Sequence, residues 1–170
     1  PHISTDLIEE EQMHSRIIEL GNAPILPDDR MGECSVPEWF YHSIADYTNA
    51  ETDRDEDLKW FLEIVAHIVD VAEDGESFTF KPNAKKKYFH RQYYAFLDKA
   101  RELTGISIEA FCAETPYDIG MAMYKLNEAY QDKFSFYIYY QDKLKTLDEW
   151  IRETDLSESF YFGGTLDYHF

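Results

Sequence analysis

Three side chains in the first half of the sequence have the types and spacing of a metal site. Glu63, His67 and Asp70 stand four and three residues apart, so on a helix they share one face. Two carboxylates and an imidazole are donors for a divalent ion that activates water, the chemistry of a small metal-assisted hydrolase. The structural alternative is a histidine between carboxylates on a solvated face. Glu11 and His14 form one Glu-x-x-His pair, but a di-iron carboxylate site needs a second copy on a partner helix, and the sequence has none. No cofactor is expected.

Nucleophilic chemistry finds less support. Cys34 falls in a loop, Cys112 lies between Phe111 and Ala113 and reads as core, and neither belongs to a C-x-x-C pair. No serine sits in a G-x-S-x-G elbow, and neither a G-x-x-x-x-G-K-[ST] loop nor a G-x-G-x-x-G turn is present to cradle phosphate. These absences point away from catalysis and toward binding.

Charge is the more informative property. The 16 Lys+Arg against 34 Asp+Glu give a net charge of −18, a field that repels nucleic acid and anionic lipid. Residues 1–80 hold 4 basic and 20 acidic side chains, 81–101 hold 7 and 1, and 102–170 hold 5 and 13. In the acidic stretch 46–76, which opens with Asp46, the residues Glu51, Asp53, Asp55, Glu56 and Asp57 crowd a predicted helix start, and Glu63, Asp70, Glu73 and Asp74 continue along its outer side. Carboxylates three or four residues apart rise about 4.5 to 6 Å along a helix, so a row of them offers spaced negative charge to a protein that normally grips phosphates. A solvated face is the alternative. The basic segment (Lys81, Lys85, Lys86, Lys87, Arg91, Lys99, Arg101) is interleaved with Tyr88, Phe89, His90, Tyr93 and Tyr94. That pattern suits a nucleic-acid strand, but the overall charge favours pairing with the acidic half, so direct nucleic-acid binding is not expected.

The elements that position these groups follow from caps and periodicity. Ser4 or Thr5, the Glu9–Glu11 run and Gly21 predict a helix over about residues 6–20. Ser35 and Glu38 read as a capping box for a helix to about residue 48, and Leu58, Phe61, Leu62, Val65, Ile68, Val69 and Ala72 predict one over about residues 53–74. Phe78 and Phe80 alternate as a strand, and a long basic helix spans about 84–103. Ser107 caps a short helix, and Thr115-Pro116 starts another to about residue 131. Phe134 to Gln141 alternate as a strand whose Tyr137 and Tyr139, with Tyr161, either form a secondary contact surface or lie under a second layer. Thr146 and Glu149 form a capping box, and Gly163-Gly164 between aromatic runs predicts a C-terminal β-hairpin.

Together these predict one α+β domain over residues 1–170, with five to six helices on one face of a small, mostly antiparallel sheet of about four strands. With no apolar run near 20 residues and no secretion signal, a cytoplasmic protein with reduced thiols is expected. The functional expectation is a non-catalytic inhibitor that occupies the basic nucleic-acid-binding surface of a protein target such as a nuclease or toxin. An immunity protein or antitoxin that neutralises a basic toxin is the main alternative. In composition alone, acidic and rich in aromatics, the chain resembles nucleic-acid-mimicking inhibitors of antirestriction or anti-CRISPR type. That resemblance covers no aligned segment and carries no residue across.

Overall fold

A computed structural model describes residues 13–114 and 117–170. The described chain forms two compact units, one from residues up to Pro82 together with Phe134–Phe170, the other from Asn83–Lys133.

The first unit is built on one mixed sheet. Its strands are β1 (His14–Gly21), β2 (Tyr47–Asn49), β3 (Val69–Val71), β4 (Ser77–Phe80), β5 (Tyr137–Tyr140), β6 (Lys143–Thr146) and β7 (Ser159–His169). The order is β3-β4-β7-β1-β5-β6, with β2 alongside the far end of β7. Only the β1–β5 pair is parallel. The α+β class stands, with seven strands rather than about four and six α-helices among the described residues.

Both faces of the sheet are covered, not one. On one face, helix α1 (Glu38–Ser43) drives Phe40 against Tyr137 and Tyr168, with ring centroids 4.8 and 5.1 Å away, above Ile17 and Leu166. On the other, α2 (Arg54–Val65) buries Phe61 beside Phe78, Phe136 and Phe162. There α6 (Leu147–Glu153) also sets Trp150 on Phe160 at 5.0 Å. Rings of 150–250 Å² each let these small helices bury a large apolar area.

Several elements differ from expectation for identifiable reasons. Residues 14–20, predicted as helix, are strand β1, and the first part of that predicted helix lies outside the described residues. Ile17, Ile18, Glu19 and Leu20 are all buried, because a central strand covered on both faces has no polar side to alternate with. The Ser35–Glu38 capping box is absent: Pro37, in extended geometry, caps α1, and Ser35 accepts from Gly32 N instead. The 53–74 helix stops at Val65, and the β-branched run that follows forms β3, paired with β4.

The predicted C-terminal hairpin is instead the single strand β7. Ile18 pairs with Thr165 but Leu20 with Phe162, so Gly163 and Gly164 together oppose Glu19 as a β-bulge. The extra residue switches the alternation, which keeps Phe160 and Phe162 on the same face as Thr165 and Asp167. A true hairpin joins β5 to β6, where Gln141 and Asp142 take positive φ of 51° and 58°.

The second unit holds α3 (Ala84–Thr104), α4 (Ile108–Phe111) and α5 (Tyr117–Tyr130), with α3 and α5 packed together. Ser107 caps α4 as predicted, accepting from Ala110 N, while Thr115-Pro116 lies outside the described residues. Cys112 is exposed, not core, because it follows a one-turn helix whose Phe111 is itself 70% exposed.

Candidate partner-binding surface

Helix α2 owes its orientation to its two ends. Asp53 caps it, accepting from Asp55 N at 3.1 Å and Glu56 N at 3.2 Å. Leu58, Phe61 and Val65 then face the sheet, which turns Asp55, Glu56, Lys59 and Glu63 outward. The β3–β4 hairpin presents Asp70, Glu73, Asp74 and Glu76, all exposed. Asp74 accepts from Glu76 N at 2.9 Å, and Gly75 takes φ of 73°, so the tip is fixed by its own Asx turn.

Arg54 clasps the two elements. Its Nη2 reaches Glu76 Oε2 at 3.0 Å and its Nε donates to Gly163 O at 2.8 Å. Asp55 and Glu63 from α2, with Asp74 and Glu76 from the hairpin, line one shallow depression together with Leu58, Leu62 and two cations, Arg54 and Lys59. Glu76, which closes the acidic stretch 46–76 but is not among the contact residues singled out from sequence, joins this surface. Lys81, 3.7 Å from Asp70, partly offsets that carboxylate.

Not every predicted contact residue joins this surface. Asp57 is buried at 3% exposure, a correction to its assignment as a partner contact. It accepts from Arg16 Nε at 2.5 Å, Thr52 Oγ1 at 2.9 Å and Thr165 Oγ1 at 2.8 Å, so its charge is satisfied inside the protein. Arg16 also pairs with Asp167 and lies over the Trp60 ring at 5.4 Å. Asp46 and Glu51 are exposed but flank β2 rather than line the depression, and Asp46 sits 3.3 Å from His169 Nδ1.

The secondary contact candidates are also revised. Tyr137 is 3% exposed, because the loop leading into α1 and α1 itself form the second layer over its face. Tyr139 and Tyr161 are half-buried. Tyr139 donates to Asp142 at 3.2 Å, and burial, then this bond, raises its pKa above the usual phenol value. The metal candidate dissolves: Glu63 is helical, His67 lies in the turn after α2 and Asp70 is in β3. Among the described residues no group of three or more His, Cys, Asp or Glu side chains is placed to hold a metal ion.

Charge divides along the two units. Residues 83–133 contain eight basic and seven acidic side chains, whereas the rest of the chain contains eight and twenty-seven. The acidic excess therefore belongs to the sheet unit alone. No helix among the described residues is long and apolar enough to cross a membrane. No protein-family model matches the sequence, and no characterised protein or solved structure matches it.

Proposed function

We propose that the protein is a non-catalytic acidic binding protein that holds a protein partner by a basic surface, the surface with which that partner grips nucleic acid. The observation that carries this reading is the shared depression. Two elements adjacent in sequence, clasped by Arg54, bring Asp55, Glu63, Asp74 and Glu76 to one depression with Leu58 and Leu62. Exposed Asp53, Glu56, Asp70 and Glu73 lie on or beside the same elements, and Arg54, Lys59 and Lys81 are the cations of this stretch. Carboxylates beside apolar side chains suit Arg and Lys, whose stems cover apolar surface while their heads meet the charges. Such complementarity mainly speeds encounter and fixes register, and it weakens with salt.

The test is affinity capture of a partner on the tagged chain. Duplex DNA is expected to displace that partner, and the variant D55N/E56Q/E63Q/D74N/E76Q to lose capture. A control of equal charge change placed elsewhere, such as substitutions at Glu38, Glu109, Glu128, Glu153 and Glu158, is expected to retain it. Equal capture by the first variant would sink the proposal. A captured enzyme whose catalytic cleft is blocked, with no nucleic-acid competition, would instead make the chain an immunity protein.

A further inference from the structure

Helix α3 breaks a local rule that the other helices obey. Lys85, Lys86 and Lys87 occupy its first turn, the positive end of the helix dipole, where α2 and α6 carry carboxylates. No acidic residue stands in that turn, and Asn83 at the N-cap makes no side-chain capping bond. Residues 84–97 contain four cations and no carboxylate. Charges placed against the dipole concentrate positive potential there, and such a breach of local consistency is characteristic of functional sites.

The exposed side of α3 adds a second feature. Lys86, Lys87, His90, Arg91, Tyr93 and Tyr94 recur at helical spacing on that side, and Tyr93 and Tyr94 are 55% and 52% exposed. The His90 ring meets Tyr94 at 5.0 Å and Tyr94 meets Tyr93 at 5.4 Å, so the rings form one exposed aromatic group beside the cations. Among the described residues no ion pair holds Lys86, Lys87 or Arg91, whereas Lys99 and Arg101 near the far end pair with Glu102 and Asp98 on the same helix.

We propose that this side of α3 binds single-stranded nucleic acid. Lys86, Lys87 and Arg91 take successive phosphates, and Tyr93 and Tyr94 stack on bases. From Lys86 to Tyr94 the helix rises about 12 Å, room for two or three nucleotides. An acidic protein would satisfy the cations but gives the exposed rings no flat partner, so the observations favour a nucleic-acid strand. The overall charge of −18 argued against this from sequence, but residues 83–133 hold eight basic and seven acidic side chains, so the helical unit has no acidic excess of its own.

The experiment measures fluorescence anisotropy of a labelled fifteen-nucleotide oligo-dT with the full chain, and of a labelled oligoglutamate of equal length. Binding of oligo-dT is expected, with a log–log salt slope near −2 for three phosphate contacts at about −0.7 each. K86E/K87E/R91E is expected to abolish binding, and Y93A/Y94A to weaken it about tenfold or more with the helical circular dichroism unchanged. K86Q/K87Q, a milder change, keeps the result interpretable if the triple variant unfolds. No binding at low salt, binding of oligoglutamate in preference, or binding indifferent to the Lys, Arg and Tyr substitutions would overturn the proposal. The surface variant E38Q/E158Q is expected to bind oligo-dT as well as the parent does, and partner capture tests the acidic surface separately, so failure here leaves that reading untouched.

Discussion

The Glu19 side chain occupies the space that a side chain at Gly163 would need. A Cβ built on Gly163 falls 2.6 Å from Glu19 Cγ, well inside contact distance. The carboxylate cannot withdraw freely, because its Oε2 accepts from Gly164 N at 2.6 Å and from Met31 N at 2.9 Å, both buried. It thus ties the bulge of β7 to the loop after β1.

Gly163→Ala is accordingly expected to destabilise the protein by about 2 to 4 kcal/mol, as steric overpacking compounded by loss of these buried bonds. Glu19→Ala alone leaves two buried amides unsatisfied and is expected to cost about 1 to 3 kcal/mol. The double variant is expected to cost less than the sum, since removing the carboxylate makes room for the methyl group. Urea denaturation of the four proteins reads the coupling; strict additivity would contradict the described geometry.

Asp57 and Asp55 are two residues apart and are expected to behave oppositely. Asp57→Asn strips a buried partner from Arg16 and is expected to cost about 3 to 5 kcal/mol. Asp55, whose side chain is 94% exposed, is expected to tolerate Asn within about 0.5 kcal/mol while lowering the rate of partner association. Melting temperature separates the first effect, and association kinetics the second.

Tyr139 sets an alkaline limit. Its pKa is raised by burial first and by its bond to Asp142 second, so the folded state favours the neutral phenol. The stabilisation is complete below the unfolded phenol pKa of about 10 and is lost as pH rises through the higher folded value. Stability is expected to fall above about pH 10, and Tyr139→Phe to flatten that fall. Denaturation midpoints across pH 8 to 12 test this; identical slopes for parent and variant would refute it.

The β5–β6 turn offers a stabilising change. Gln141 takes φ of 51°, a left-handed geometry that Asn adopts more readily. Gln141→Asn is expected to gain roughly 0.5 kcal/mol, seen as a higher denaturation midpoint with an unchanged m-value.

What the sequence disclosed was the part written in local chemistry. The α6 capping box appears as predicted, with Glu149 N donating to Thr146 Oγ1 at 3.2 Å, and α3 and β4 fall close to their expected bounds. Strand β1 was hidden because burial on both faces erased its alternation, so Ile17, Ile18 and Leu20 could be fitted to a helical spacing. Gly163-Gly164 carried the composition of a turn while serving as a bulge, a distinction that rests on Glu19 far away in sequence. The acidic surface was legible as a run of carboxylates, but the removal of Asp57 from it depends on Arg16, 41 residues distant. Long-range pairing leaves no mark on local spacing.

Strand β7 runs between β1 on one side and β4 and β2 on the other, and His14 stands opposite His169. The middle of the sheet therefore awaits two segments from opposite ends of the described chain. Collapse of the helices should run ahead of this encounter, leaving apolar strand edges waiting for their mate. Such a topology folds on the slow side, over milliseconds to seconds. It is most exposed to self-association in that interval.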